Sequence, residues 1–275
     1  MKFVLSFVYD LNALLCSTPM NLENKRIIIT GATSGIGLHL LKVISKIKGT
    51  QLIAVGRKIE NIPQKENIFP YRADVSKEEE VDSMFKFAIE KMNGIDIFFA
   101  NAGYSYYEKL GKASWQHVNN IFATNVVSPI YSLTRMIELN KSSEFMVIIS
   151  CSVIGKLPFP GFSLYTGTKF ALDGFNTAMQ YEMHENGHLM MVYPVATYTE
   201  FFNRAGENVY MPWPHQKSGK VVKAILKGIN KNKKRVYPFP FIKPILYLMN
   251  VFPFIYDIYH SIQKRKLERW IDNRL

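Results

Sequence analysis

The stretch Ile27-Ile28-Ile29-Thr30-Gly31-Ala32-Thr33-Ser34-Gly35-Ile36-Gly37, followed by the amphipathic run Leu38 to Lys46, decides how this chain is read. A short apolar run reads as a strand, the closely spaced glycines as a tight turn, and the periodic run after them as a helix. Glycine at 31, 35 and 37 lets the backbone turn sharply and lie against a phosphate. The first turn of the helix adds unpaired N–H groups and the positive end of its dipole. Strand, turn and helix together make a cradle for a dinucleotide pyrophosphate, built here from Thr30, Gly31, Thr33, Ser34, Gly35, Ile36 and Gly37.

Beyond that helix, Leu52 to Val55 gives a second strand and closes a βαβ unit. Further runs that are apolar throughout follow at Ile95 to Ala100, Phe145 to Ser150 and Leu189 to Tyr193. Amphipathic stretches lie between them at Lys77 to Lys91, Ser114 to Leu139 and Tyr165 to Glu185. Strands without polar alternation are buried on both faces, so the pattern predicts an α/β domain with a doubly wound, Rossmann-like parallel sheet. Its ligand crevice belongs beyond the strand C-termini. A length of 275 residues fits one such domain better than two. Residues 1–20 read as an N-terminal extension, 21–235 as the domain with a substrate lid near 199–216, and 236–275 as a helical, apolar and basic C-terminal extension.

Where dinucleotide folds place an acid for the adenosine ribose, this chain has Val55-Gly56-Arg57-Lys58. Arg57 offers a planar fork of donors to a 2′-phosphate, whereas NAD would meet no carboxylate, so NADP(H) is the expected cofactor. Further on, Tyr165 and Lys169 stand one helical turn apart on a common face. A phenol near pKa ~10 is a poor acid–base catalyst at neutral pH, and a neighbouring cation favours its ionised form. The spacing therefore predicts a tyrosine of lowered pKa that exchanges a proton with a substrate oxygen.

In their order and spacing, Thr30 to Gly37, Asn101-Ala102-Gly103, Ser152 and Tyr165-x-x-x-Lys169 resemble the short-chain dehydrogenase/reductase family, over roughly residues 21–199. The resemblance implies a substrate-orienting role for Ser152, adenine contacts from Asp74-Val75, and a cofactor-facing turn at Asn101-Ala102-Gly103. It makes Asn125 the anchor of a proton-relay water, and it puts Pro194 and Thr199 at the nicotinamide end of the cofactor. The implied activity is hydride transfer between NADP(H) and a carbonyl or hydroxyl carbon, with the protein positioning and polarising. Ser150 flanks Cys151 on the other side and is the alternative to Ser152; spacing favours Ser152. Pro194-Val195 departs from the family's Pro-Gly, so the loop leading to Thr199 is expected to be set differently.

After the sixth strand, Thr199-Glu200-Phe201-Phe202 through Met211-Pro212-Trp213-Pro214 is apolar and aromatic, and Leu157, Phe159, Phe162 and Leu164 precede Tyr165. Such walls accept lipophilic substrates, and the text resembles the branch holding hydroxysteroid dehydrogenases and 3-ketosphinganine reductases. A keto-lipid or steroid-like substrate is expected; the same residues also read as plain core. A redox-silent dinucleotide-binding scaffold is the competing reading, and intact Asn125, Ser152, Tyr165 and Lys169 speak against it.

The formal charge of +12 is uneven: Lys217 onward holds 14 Lys or Arg against Asp257, Glu268 and Asp272. This reads as a basic tail with an anionic partner. The aromatic, proline-broken text from Val236 to Tyr259 between basic clusters suits an anionic membrane surface, with a lid or subunit contact in a homo-oligomer as the equal alternative. No nucleic-acid motif is present. Scattered histidines and two distant cysteines, Cys16 and Cys151, predict neither metal site nor disulfide. The expected place is the cytoplasm, in part peripheral on the inner face of the membrane.

Overall fold

A computed structural model of the chain describes residues 20–111 and 113–273. Of the extension read over residues 1–20, residues 1–19, with Cys16, lie outside them. In chain order come β1 (Arg26–Thr30), α1 (Gly35–Ile44), β2 (Gln51–Gly56), β3 (Ile68–Arg72), α2 (Glu78–Met92) and β4 (Ile97–Ala100). Next, α3 (Trp115–Phe122) runs through a π-helical turn (Ala123–Val127) into α4 (Ser128–Leu139), followed by β5 (Phe145–Ser150), α5 (Ser163–Glu182) and β6 (Gly187–Val192). The chain finishes with β7 (Ala196–Tyr198), α6 (Phe201–Ala205), β8 (His215–Lys217), α7 (Ser218–Asn230), β9 (Arg235–Val236), α8 (Ile242–Val251) and α9 (Phe254–Asp272).

Seven strands form one parallel sheet in the order β3-β2-β1-β4-β5-β6-β9, the doubly wound arrangement expected. Register explains why the strands are apolar throughout. Ile28 pairs with Ile53 and Phe98, Phe98 with Val147, and Val147 with Leu189, making a row on one face. That row joins Val81, Met84 and Phe85 of α2 and Leu133 and Met136 of α4 in one core. The alternate residues Ile27, Ile29, Leu52, Phe99 and Ile148 point the other way and bury Leu40, Leu41 and Ile44 of α1 with Val221, Val222, Ile225 and Ile229 of α7. Each such side chain, taken fully out of water, contributes about 1.5–3 kcal/mol before the entropy of ordering is counted. The strand order turns outward in both directions from the neighbours β1 and β4, which leaves a crevice beyond their C-terminal ends.

Three elements depart from the sequence reading. The strand β3 was not expected, because its Ile68-Phe69-Pro70-Tyr71-Arg72 alternates between buried and open positions and carries a proline, which only an edge strand tolerates. Helix α7 and strand β9 were hidden in what read as a basic tail. In α7 the lysines occupy the solvent side of a helix whose Val221, Val222, Ile225 and Ile229 are buried, and Val236 of β9 is buried in the core. The segment from 236 onward is also part of the body: Ile242 and Met249 of α8 enter the main core, and Leu267 of α9 joins the cluster above the crevice.

Candidate active site

One cleft of about 480 Å³ opens at the C-terminal ends of the strands. Of the residues expected at the site, Gly31, Thr33, Ser34, Gly35, Ile36, Arg57, Asp74, Val75, Asn101, Ala102, Gly103, Ser152, Tyr165, Lys169, Pro194 and Thr199 all line it. Thr30, Gly37 and Asn125 do not, and they hold the lining residues from behind.

The glycine turn shows how. Gly31 has φ +64, and a side chain there would run into the backbone of Ala102 at 2.9 Å. At Gly37 a Cβ would stand 2.3 Å from the Gly31 carbonyl oxygen and 2.6 Å from Asn101 Nδ2, so helix α1 reaches the loop only because that position is bare. Buried Thr30 accepts from the N–H groups of Asn101 and Ala102 at 3.0 and 3.1 Å, and Asn101 Nδ2 donates back to the carbonyls of Thr30 and Gly31. The ends of β1 and β4 are thereby tied together beside the start of α1, where anions are favoured. At the far end of the same cleft Arg57 is exposed at the tip of β2, with no carboxylate at ion-pair distance among the described residues. Asp74 opposite is held below the usual carboxylate range: burial pushes it up, but bonds from Ser76 and the charge of Arg57 outweigh that.

A cradle that a Cβ would fill, a helix start and an unpaired guanidinium fit a nicotinamide dinucleotide, with Gly31 to Gly37 facing its phosphates and Arg57 its adenosine end.

At the middle of the cleft α5 carries Tyr165 and Lys169 on its buried side. Lys169 Nζ donates to the Ser150 carbonyl at 2.8 Å and lies 5.5 Å from the centre of the Tyr165 ring. The expected lowering of the tyrosine by that cation is not what the chain produces. Burial pushes the Tyr165 phenol well above its ordinary value, Cys151 adds to this, and a hydrogen bond with Ser152 offsets only part. Burial also pushes the Lys169 ammonium down to about 8. The raised phenol is protonated at neutral pH, so it has a proton to give.

The two serines, both lining the cleft, make different contacts. Ser150 Oγ donates to Asn101 Oδ1 at 3.1 Å, tying β5 to β4, whereas Ser152 caps the short turn Val153–Gly155 and faces Tyr165. Asn125, in the π-helical turn, is fully buried, and its amide is spent on protein. It exchanges bonds with the Tyr104 N–H and carbonyl at 3.1 and 2.8 Å and donates to Thr168. Its side chain thus fixes the Gly103–Tyr104 turn beside Lys169. Thr199 sits over Gly35, where a Cβ would lie 3.1 Å from its methyl group, so Thr199 borders the glycine turn.

The remaining wall is apolar: Ile154, Leu157, Phe159, Phe162, Phe201, Phe202, Pro212, Trp213 and Pro214 line it. Leu164 and Met211 pack behind it instead. Strands β7 and β8 pair with each other and clip together the two ends of the lid. Sequence reasoning missed Tyr104, Arg204, Ile242 and Tyr259, all of which line the cleft. Tyr104 directly follows the Asn101-Ala102-Gly103 turn and was within reach. Ile242 and Tyr259 arrive through long-range packing of α8 and α9 and left no local signal.

The chain matches the model of the short chain dehydrogenase family over residues 25–209, and it belongs to that family. An uncharacterized oxidoreductase of Listeria monocytogenes is 30% identical over 196 residues, covering 66% of this chain and 77% of the relative. A 3-dehydrosphinganine reductase of Danio rerio is 26% identical over 228 residues, covering 76% and 68%. A Gallus gallus hydroxysteroid 11-beta-dehydrogenase 1-like protein is 26% identical over 175 residues, covering 60% of each. The match to an uncharacterized oxidoreductase of Schizosaccharomyces pombe, 33% identical, spans only 58% of that protein. Among solved structures, a short chain dehydrogenase from Burkholderia cenocepacia in complex with NADP superposes with a TM-score of 0.74 at 19% identity, covering 89% and 99%. One from Burkholderia phymatum in complex with NAD gives 0.74 at 17%, covering 84% and 94%. These structural likenesses concern the fold.

Proposed function

We propose that this protein is an NADP(H)-dependent oxidoreductase that reduces a keto group, or oxidises the matching alcohol, on a lipophilic substrate. The observation that carries the reading is the convergence on one cleft of the glycine turn, Arg57, Ser152, Tyr165 and Lys169. Bound NADPH supplies the hydride. The chain's own residues do the rest. Tyr165, kept protonated by burial, donates its proton to the substrate oxygen as negative charge grows there, and Ser152 donates a hydrogen bond to the same oxygen. Lys169, anchored on the Ser150 carbonyl, holds positive charge 5.5 Å from the Tyr165 ring centre. Asn125 positions the turn at Gly103 and Tyr104 that borders them.

The exposed Arg57, which forms no ion pair among the described residues, supports NADP(H) over NAD, and the aromatic wall supports a lipophilic substrate. The likeness to a 3-dehydrosphinganine reductase and a hydroxysteroid dehydrogenase-like protein points the same way. The apolar and basic C-terminal segment supports an anionic membrane surface as the place where such a substrate is met. Purified protein given NADPH and a panel of long-chain and polycyclic ketones should consume NADPH, read as loss of nicotinamide absorbance. No consumption with any member, beside tight NADPH binding, would favour a redox-silent binding protein.

A further inference from the structure

Helices α8 and α9 have two different sides. On α9, Tyr256, Tyr259, His260, Gln263, Leu267 and Trp270 recur at helical spacing and face the body. The Tyr256 hydroxyl donates to the Lys156 carbonyl at 3.1 Å, and His260 Nε2 lies 2.7 Å from the Pro158 carbonyl, both on the loop that carries Leu157 and Phe159. Tyr210 of the lid donates to Gln263 at 2.9 Å, and Trp270 donates to the Glu207 carbonyl of the lid at 2.9 Å. Both walls of the substrate end of the cleft are therefore fastened to one side of α9, and Tyr259 with Ile242 of α8 lines the cleft itself.

The other side is exposed and apolar. Phe254, Ile258 and Ile262 are 59%, 57% and 45% exposed and lie one turn apart; the same stripe continues as Arg265 and Arg269. On α8, Tyr247, Leu248 and Val251 are 53%, 48% and 47% exposed beside Phe252 at 45%. These exposed apolar side chains crowd two consecutive helices, and the α9 stripe ends in Arg265 and Arg269; of the neighbouring charges, Lys243 lies over the Tyr237 ring, Lys266 over the Tyr210 ring, Lys264 lies 3.8 Å from Glu268, and Asp257 is exposed beside Ile258. No described helix is long and apolar enough to cross a membrane.

We infer that the outward face of α8 and α9 seats on an anionic bilayer, and that a lipid substrate passes from that bilayer into the cleft alongside Ile242 and Tyr259. The occupant follows from apolarity and charge together: a bilayer with anionic headgroups satisfies the exposed apolar stripe and the Arg265 and Arg269 guanidinium groups that continue it. The inward side of the same helices walls the cleft, so a molecule leaving the bilayer is already at the substrate end. This rests on the lipophilic substrate proposed above.

The test uses the full chain, phosphatidylcholine vesicles with and without phosphatidylserine, and the double variant Leu248→Glu/Ile258→Glu. The unmodified chain should pellet with the phosphatidylserine vesicles at low salt and be released at high salt. The variant should lose roughly tenfold or more of that partitioning. With NADPH it should still reduce a short water-soluble ketone as the unmodified chain does, which also reports its folding, while its KM for a vesicle-borne long-chain ketone rises. Unmodified protein that stays in the supernatant yet reduces the soluble ketone overturns the seat and leaves the catalytic reading standing. Pelleting without reduction of any ketone does the reverse. A variant that pellets normally, or one whose only change is from dimer to monomer by light scattering, also overturns the seat and assigns the face to a subunit contact.

Discussion

Arg57 is the point at which cofactor choice should be reversible. It stands exposed at the tip of β2, lines the cleft, and has no ion-pair partner to give up among the described residues, so its five donors are free for a 2′-phosphate. Charge-assisted hydrogen bonds of this kind contribute about 1.5–3 kcal/mol, and exposure to salt draws the value toward the low end. At about 1.4 kcal/mol per tenfold, removing them weakens NADPH binding by roughly ten- to a hundredfold. Arg57→Asp goes further, because its carboxylate, with Asp74 nearby, repels the phosphate and offers the ribose hydroxyls of NADH the acceptor they lack in the native chain. Fluorescence titration of both variants and the unmodified protein with NADPH and NADH gives the Kd values. The reasoning predicts a strong NADPH preference that falls at least tenfold in Arg57→Ala and inverts in Arg57→Asp. Equal affinities in the unmodified protein, or an unchanged ratio in Arg57→Asp, would refute it.

Other expectations follow from the same geometry. Gly37→Ala drives a methyl group against the Gly31 carbonyl and Asn101 Nδ2, so it should lower thermal stability by about 1–3 kcal/mol and weaken NADPH binding, read by melting and titration; if neither changes, the close approach is not what holds the loop. The Ser152→Ala variant should lose most of its ketone reduction. Ser150→Ala, which gives up one bond to Asn101, should cost about 0.5–1.5 kcal/mol of stability and little activity; a dead Ser150→Ala enzyme would reverse the assignment. Because Lys169 is pushed down to about 8, its ammonium fraction falls as pH rises through that value. Reduction rates should therefore decline above about pH 8, and Lys169→Arg, which keeps its charge far higher, should remove that limb; a profile flat to pH ~10 would deny the lysine its role.

Much of this was legible in the chain itself, for a physical reason. Strands buried on both faces must be apolar throughout, so β1, β2, β4, β5 and β6 stand out as short runs. The glycine turn is visible because two backbones meet where Gly37 is bare. Strand β3 escaped because half of an edge strand faces water and Pro70 breaks its pattern. In α7 the apolar spacing of Val221, Val222, Ile225 and Ile229 is present in the sequence, but the lysines among them mask it as part of a basic stretch. The direction of the Tyr165 shift was not readable from its neighbour four residues on, since it is set by burial of the phenol, a property of the packed cleft. Nor could any local pattern announce that Tyr259 returns to line a cleft begun at Gly31.

The central claim is that Tyr165 donates the proton that accompanies hydride transfer, and Tyr165→Phe tests it most directly. The substitution keeps the ring, and with it the contacts to Phe162 and Phe201, while removing only the hydroxyl. Turnover of a ketone by the variant, followed as NADPH consumption at saturating cofactor, should fall by about 10² to 10⁴-fold, with the Kd for NADPH little changed. A Tyr165→Phe protein that binds NADPH and turns over ketone at the native rate would contradict the account.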